Sequence, residues 1–238
     1  MTQLVYGKNV VKQILSDGGK IHKLFLVQPD KEVIALAQKL NVEVQMTDNK
    51  TLNRLTGSDR HQGMAIEMDD YPTYSLEDIT KTSSDKPGLI IVLDQLEDPH
   101  NLGAILRTAD AVGANGVIFK KDRSVGLTPT VAKVSAGAID TVKCVVVTNL
   151  VQTLKQLKEK DYWVVGTDMN SQDYRSMPTD RNLVLVIGNE GKGISRLVKE
   201  ECDYVVSIPM VGKIESLNAS VSAGVLLYEI YNKRFPLK

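Results

Sequence analysis

The stretch LVLVIGNEGKGIS, Leu183 to Ser195, decides the fold, because an unbroken apolar run passes directly into a glycine-rich loop. Such a run is typical of a strand buried in a parallel sheet. A second run of this kind, LIIVLD, begins at Leu89. Around these two runs, strand patterns alternate with helical patterns as far as a final helix from about Asn218 to Lys233. This alternation predicts an α/β fold with a mostly parallel sheet and helices on both faces.

The beginning of the chain forms a separate pattern of shorter elements. The segments KLFLV, VEVQM and MAIEM have strand character, and VVKQIL and EVIALAQKL have helical spacing. Between Asp69 and Gly88, prolines and a Thr-Ser-Ser run interrupt the periodicity. We therefore predict a small α/β domain over residues 1–68, a linker over 69–88 and a larger α/β domain over 89–238.

The composition is that of an ordinary soluble protein. The 238 residues carry no formal net charge, which neither favours nor excludes a nucleic-acid partner. Cys144 and Cys202 lie far apart, so we expect two reduced thiols and no metal site. No stretch approaches the roughly 20 apolar residues that span a bilayer, and the N-terminus lacks an apolar signal-peptide core. We expect a cytoplasmic protein without a membrane partner.

The first segment with chemical character runs from Leu93 to Phe119. A strand ends there in Asp94, and a polar loop follows in which Asn101 is a good N-cap for the next helix. A strand-end loop that leads into a helix N-terminus is a natural anion site, and Arg107 could add a bidentate phosphate contact. The spacing alone equally allows an exposed Arg107 that pairs with Asp98 or Asp110.

The second segment is the glycine loop from Gly188 to Gly193. Glycines after a buried strand let the backbone approach a ligand closely. The order G-x-x-G-x-G is not the dinucleotide-binding order G-x-G-x-x-G, and a Walker A loop is also excluded. Taken by itself, this loop could equally be a tight structural turn.

The third segment is IPMVGKIESLNASVSAG, Ile208 to Gly224. Pro209 stops the preceding strand, and the following helix opens with small residues that permit close packing. Without its neighbours, this segment could be no more than a tightly packed helix start with Ser216 or Asn218 as the N-cap.

Together and in this order, the three segments resemble the motifs of the SpoU/TrmH family of RNA ribose 2′-O-methyltransferases, within the SPOUT superfamily. The similarity lies in N-L-G-x-I-x-R-T, I-G-N-E-G-x-G and I-P-M-x-G-x-x-x-S-L-N-x-S. The family implies a parallel-sheet α/β domain with a C-terminal trefoil knot, S-adenosyl-L-methionine as methyl donor without a metal, RNA as substrate, and a homodimer. Proteins almost never contain knots, so the residues alone would not predict one.

The resemblance also assigns roles to individual residues. It places the cofactor pocket at Gly188, Ile208 and Leu217, with Met210 and Thr167 as further candidates. The positions that match catalytic and RNA-contacting residues are Arg107, Asn101, Glu190, Ser216 and Asn218. The family model makes Arg107 the base, but a free guanidinium is protonated at neutral pH. Arg107 could instead bind the adjoining phosphate and stabilise the developing alkoxide.

The leading domain resembles the substrate-binding domain of the bacterial ribosomal-RNA guanosine branch, with Arg60-His61-Gln62-Gly63 before its last strand. Arg54, Arg60 and His61 are the expected contacts to a structured RNA loop. We expect a guanosine of 23S ribosomal RNA as the target. The same chemistry on transfer RNA and a non-catalytic RNA-binding or ribosome-assembly factor remain alternatives. A nucleotide-dependent oxidoreductase is disfavoured by the glycine order.

Overall fold

The computed structural model describes residues 2–81, 86–122, 124–189, 191–213 and 216–237. Contacts divide the chain into two compact units. The first unit comprises Met1–Tyr71 and Leu127–Lys133, and the second comprises Pro72–Gly126 and Val134–Lys238. A short part of the second half of the sequence therefore groups with the first unit.

The described residues of the first unit form a four-stranded sheet with helices. Its elements are β1 (Thr2–Tyr6), α1 (Lys8–Asp17), β2 (Ile21–Leu26), α2 (Lys31–Lys39), β3 (Glu43–Met46), α3 (Asn49–Thr56) and β4 (Met64–Asp69). The strand order is β1-β4-β2-β3, in which β4 is antiparallel to both neighbours and β2 is parallel to β3. Strand β1 was absent from the sequence prediction, because TQLVY has a single polar–apolar alternation and no turn signal before it.

Aspartates begin two of these helices. The Asp30 carboxylate accepts hydrogen bonds from the backbone of Glu32 and Val33 at the start of α2. The Asp48 carboxylate accepts one from Thr51 N at the start of α3. Such caps satisfy backbone donors that have no partner inside the helix.

The described residues of the second unit form six parallel strands. Its elements are α4 (Leu76–Thr80), β5 (Leu89–Leu93), α5 (Pro99–Ala111), β6 (Gly116–Lys120), α7 (Ala138–Thr141), β7 (Cys144–Val147), α8 (Leu150–Lys158), β8 (Trp163–Asp173), β9 (Leu183–Ile187), α9 (Arg196–Glu200), β10 (Tyr204–Ser207) and α10 (Ala219–Arg234). Helix α6 (Pro129–Val134) lies mainly in the segment that groups with the first unit. The order β10-β8-β9-β5-β6-β7 places both apolar runs in the middle of the sheet.

The centre of this sheet is the core of the second unit. All residues of β5 and β9 are buried, and the two strands pair in parallel from Leu89↔Leu183 to Leu93↔Ile187. The predicted α/β class, with a parallel sheet and a small N-terminal α/β unit, is confirmed. The path of the chain through a trefoil knot stays a prediction.

The start of helix α5 differs from the prediction. The helix begins at Pro99, and the N-cap is Asp98, whose carboxylate accepts a hydrogen bond from His100 N at 2.8 Å. The predicted N-cap, Asn101, therefore lies within the first turn, and that prediction is wrong. The physical reason is that Pro99 fits the first helical position, where no backbone donor is needed.

Candidate functional site

The carboxyl ends of the parallel strands define the site. Ligands of parallel α/β sheets bind at this edge, because the loops that leave the strands meet there. A cavity of about 540 Å³ lies at this edge, within the size range of small-molecule sites. Its walls come from the middle of β8, the loop after β9, and the loop and first turns after β10.

The cavity brings together the residues that the resemblance assigned to the cofactor. Those residues are Thr167, Gly188, Ile208, Met210 and Leu217. Ser216, which was assigned to the catalytic set, lines the same cavity. These six residues come from three separate stretches of the chain. The cavity thus brings together residues that are up to 50 positions apart in the sequence.

The glycine loop forms one wall largely with backbone. A Cβ atom at Gly188 would lie 2.3 Å from the carbonyl carbon of Gly193 and 2.5 Å from its oxygen, so only glycine fits. Asn189 and Gly193 exchange two backbone hydrogen bonds, of 3.1 and 2.8 Å, that close the loop. The structure thus shows a tight turn that also lines a cavity, and the two interpretations of the glycine pattern are compatible.

The third segment joins the cavity to helix α5. Asn218 is the N-cap of α10, and its Oδ1 accepts hydrogen bonds from Ser220 N and Val221 N. Its Nδ2 donates to Oδ1 of Asn101 at 2.9 Å. Asn101 is only 5% exposed. This amide pair holds the start of α5 against the start of α10.

Arg107 lies on the exposed surface of α5. Within the described ranges it makes no hydrogen bond or ion pair. Asp110 instead accepts a hydrogen bond from the Thr141 hydroxyl, and Asp98 caps the helix. The alternative interpretation, in which Arg107 pairs with one of these aspartates, is therefore wrong. Glu190, the remaining member of the expected catalytic set, lies outside the described residues.

The first unit presents the expected substrate-binding residues in different ways. Arg54 on α3 and Arg60 in the following loop are exposed. His61 is only 3% exposed, and both ring nitrogens are occupied. Its Nδ1 accepts a hydrogen bond from Gly63 N at 2.9 Å, so Nε2 carries the proton and donates to Asn53 Oδ1 at 2.6 Å. His61 therefore braces the loop, and Arg54 and Arg60 remain available to a ligand.

Several polar residues of the site were not assigned from the sequence. Asp168 and Lys192 line the cavity, and Lys199 pairs with Asp168. The hydrogen bond from Lys199 holds the pKa of the Asp168 carboxyl below its ordinary value. Asp94 and Asn189 connect two loops beside the cavity. Their signal in the sequence is position, because Asp94 directly follows the buried strand β5, and Asn189 follows the buried strand β9 after one glycine.

Metal-binding groups and membrane-spanning helices are both absent from the described residues. No group of three or more histidine, cysteine or acidic side chains in the described part of the chain could hold a metal ion. None of the helices in those ranges is both long and apolar enough to cross a membrane.

Comparison with known families identifies the fold and its chemistry. Residues 88–228 match the SpoU rRNA methylase family. The chain belongs to this family. Residues 4–74 match the model described as RNA 2′-O ribose methyltransferase substrate binding. The two matches do not overlap, and the substrate-binding match precedes the methylase match along the chain.

Individual relatives extend along nearly the whole chain. A Bacillus subtilis protein named as a TrmH family tRNA/rRNA methyltransferase, YacO, is 46% identical over 98% of this chain and 96% of its own length. A Staphylococcus haemolyticus protein with the same family name is 44% identical over 97% of this chain and 96% of its own length.

Solved structures show the same architecture. The SpoU methyltransferase AviRb from Streptomyces viridochromogenes, in complex with the cofactor AdoMet, is 25% identical, with a TM-score of 0.65 over 98% of this chain and 90% of its own. The A. aeolicus TrmH/SpoU tRNA modifying enzyme is 31% identical, with a TM-score of 0.57 over 67% of this chain and 80% of its own. The SpoU-family chain is thus an S-adenosylmethionine-dependent RNA methyltransferase, as the motifs predicted.

Proposed function

We propose that this enzyme methylates the ribose 2′-hydroxyl of a guanosine in 23S ribosomal RNA. The observation that carries the proposal is the cavity at the carboxyl edge, which collects the expected cofactor residues beside the Asn101–Asn218 pair. The substrate-binding match over residues 4–74 supports ribose 2′-O as the position of methylation. Methyl transfer to a transfer RNA is the second candidate, because the names of the relatives include both RNA classes.

We infer that the cavity holds S-adenosylmethionine mainly through backbone groups and apolar contacts. Gly188, Ile208 and Leu217 line the cavity, as do Met210 and Thr167. The Thr167 hydroxyl donates to Val186 O at 3.1 Å, which fixes its orientation. When bound, S-adenosylmethionine supplies a methyl group that its sulfonium has already activated.

The catalytic contribution of the chain is the placement of polar groups around the acceptor ribose. We propose that Arg107 binds the neighbouring phosphate and stabilises negative charge as it develops on the 2′-oxygen. The exposure of Arg107 on α5 supports this role, because a guanidinium group has five N–H donors and can meet a phosphate while it contacts another side chain. Asn101 and Asn218 hold the two helix starts in register, and Ser216 contacts the substrate or the loop. We also propose that Glu190, together with Asn101, orients Arg107.

We propose that the first unit selects the RNA through Arg54 and Arg60, while His61 maintains the shape of their loop. Exposed guanidinium groups suit phosphate and stacked-base contacts. The protein works, on this proposal, in the cytoplasm, where its RNA substrate is located and its two cysteines remain thiols.

We also propose a homodimer formed through α10. This helix exposes an apolar row in which Tyr231 lies 6.0 Å from Tyr228 and 5.0 Å from Phe235, ring centre to ring centre. Val221 lies on the same row and is 50% exposed. Spacings of seven, three and four residues place these side chains on one helix face. Light scattering of Val221→Glu with Tyr231→Glu should report a monomer, and an unchanged mass would contradict this interface.

The experiment that tests the proposed substrate compares RNA from cells with and without the gene. Mapping of 2′-O-methyl groups should show the loss of one site in 23S ribosomal RNA. Loss of a site in transfer RNA would establish the second candidate instead. An unchanged pattern, together with no binding of S-adenosylmethionine in calorimetry, would favour a non-catalytic RNA-binding factor.

A further inference from the structure

Two loops at the carboxyl edge of the sheet are joined by hydrogen bonds of side chains to which the proposed chemistry assigns no role. One loop follows β5 and begins with Asp94 and Gln95; the other follows β9 and runs from Gly188 to Ser195. The Asn189 Nδ2 donates to the carbonyl of Gln95 at 3.2 Å. The backbone N–H of Ser195 donates to Oδ2 of Asp94 at 2.7 Å. The β9 loop is thus attached to the β5 loop near both of its ends.

Asn189 performs a second task with the other end of its amide. Its Oδ1 accepts hydrogen bonds from Gly191 N at 3.0 Å and Lys192 N at 3.3 Å. The side chain therefore shapes the glycine loop from within while it joins that loop to Gln95. Only a side chain that carries both a donor and an acceptor can make these contacts together.

The β5 loop is fixed from its own side as well. Gln95 adopts a φ of 60°, which is costly for a residue other than glycine and persists only where the surroundings hold it. Asp94 is only 2% exposed, and its hydrogen bond to a backbone donor is of the strong, charge-assisted kind. This loop leads directly to Pro99 at the start of α5, which carries Asn101 and Arg107.

We propose that Asn189 and Asp94 are positioning residues that couple the shape of the cofactor cavity to the placement of helix α5. The inference rests on the proposed function, because it takes the cavity as the S-adenosylmethionine site. Asn189 lines the cavity, whereas Asp94 does not. Movement of the glycine loop displaces the β5 loop, and with it the helix that presents Asn101.

The test is Asn189→Asp, which keeps the size and the acceptor of the side chain but removes the donor. A carboxylate oxygen then faces the Gln95 carbonyl oxygen, and the hydrogen bond between the two loops is lost. We expect the Kd for S-adenosylmethionine, measured by calorimetry on the full-length protein, to rise roughly tenfold, and kcat at saturating cofactor to fall as well. Asp94→Ala should act in the same direction, and Asp94→Asn should recover most of the affinity because it keeps an acceptor for Ser195 N.

The matched control is Asn149→Ala. Asn149 caps α8 at the same edge of the sheet, where its Oδ1 accepts from Gln152 N at 3.2 Å, but it does not line the cavity. We expect this variant to lower Tm and leave the cofactor Kd within about twofold of wild type. A merely structural role for Asn189 would give the same result as the control.

The inference is overturned if Asn189→Asp and Asp94→Ala both bind S-adenosylmethionine within about twofold of wild type. Should Asn189→Asp fail to fold, the difference between Asp94→Ala and Asp94→Asn decides, and equal affinities for the two overturn the proposal. Failure of the proposed function looks different, since the wild-type protein would then neither bind the cofactor nor methylate RNA.

Discussion

Two arginines of the second unit use the same guanidinium group in opposite ways. At the amino edge of the sheet, Arg234 donates to the carbonyl oxygens of Thr179, Pro87, Gly88 and Arg181 at 2.8 to 3.2 Å. Burial lowers its pKa from the ordinary value. Arg107, on the helix that leaves the carboxyl edge, has no protein partner in the described ranges. The donors of Arg234 thus hold backbone carbonyl groups of the protein, whereas we propose that the donors of Arg107 bind RNA.

The largest expected effect is the loss of methyl transfer in a variant of Arg107. Arg107→Lys keeps the charge but removes the planar pair of donors, so it cannot bind phosphate in the same bidentate way. We expect methyl transfer to fall by about 100-fold while the Kd for S-adenosylmethionine stays unchanged. The measurement is transfer of a radioactive methyl group to RNA at saturating cofactor. Near-normal transfer would show that Arg107 has no part in the reaction.

The glycine wall of the cavity gives the next largest effect. In Gly188→Ala the new Cβ would meet the Gly193 backbone, so the loop must move. We expect the affinity for S-adenosylmethionine to fall by at least about tenfold in calorimetry. Gly126→Ala is the control, because a Cβ at Gly126 meets nothing within 4 Å. Equal affinities of the two variants for S-adenosylmethionine would show that the glycine loop is not part of the cofactor site.

Charge reversal in the first unit should affect the RNA and leave the cofactor site intact. For Arg54→Glu combined with Arg60→Glu, we expect the KM for RNA to rise by about tenfold. Each lost phosphate contact should also reduce the dependence of log affinity on log salt by about 0.7 for single-stranded RNA. Filter binding at several salt concentrations checks both. An unchanged KM and an unchanged salt dependence would show that Arg54 and Arg60 do not contact the RNA.

At the amino edge, the expected effect is on folding alone. Arg234→Met removes the guanidinium donors from the four carbonyl oxygens, of which Gly88 O keeps a hydrogen bond from Leu183 N. We expect the free energy of unfolding to fall by about 2 kcal/mol. Methyl transfer per folded molecule should stay close to wild type. Urea denaturation and an activity assay at low temperature measure the two quantities. A loss of activity without a loss of stability would contradict the purely structural role of Arg234.

The smallest effect concerns Cys144, which is buried at the start of β7. Burial raises the pKa of the Cys144 thiol from 9.0 to about 12. The folded thiol therefore stays protonated at pH 8 and should react with a thiol reagent only after unfolding. Since the unfolded chain ionises first, this group also makes stability fall as the pH rises from 9.0 towards about 12. Fast labelling of Cys144 in the native protein would contradict its burial.

The strands were predictable where the physical signal is local. The continuous apolar runs of β5 and β9 are typical of strands that are buried on both faces in the middle of a parallel sheet. The start of α5 was misplaced by three residues, because Asp98 and Asn101 are both good caps and Pro99 makes the difference. The strand β8 extends to Asp173, beyond the apolar run WVVGTD that predicted it.

The site was predictable only in part, because its contacts join distant parts of the sequence. Asn101 and Asn218 are 117 positions apart, and no periodicity reports their contact. The motifs nevertheless placed the cofactor candidates in one cavity, since each motif follows a strand of the same sheet. His61 shows the opposite situation: its residue type suggested a ligand contact, but its burial and two hydrogen bonds give it a structural task.

The central claim is that the cavity and Arg107 together transfer a methyl group to a ribose 2′-oxygen of ribosomal RNA. The most direct measurement incubates the purified protein and S-adenosylmethionine with 23S ribosomal RNA from cells that lack the gene, then analyses the nucleosides by mass spectrometry. We expect 2′-O-methylguanosine to appear with the wild-type protein and to be nearly absent with Arg107→Lys. A base-methylated nucleoside, or no new methylation of any RNA, would contradict the claim.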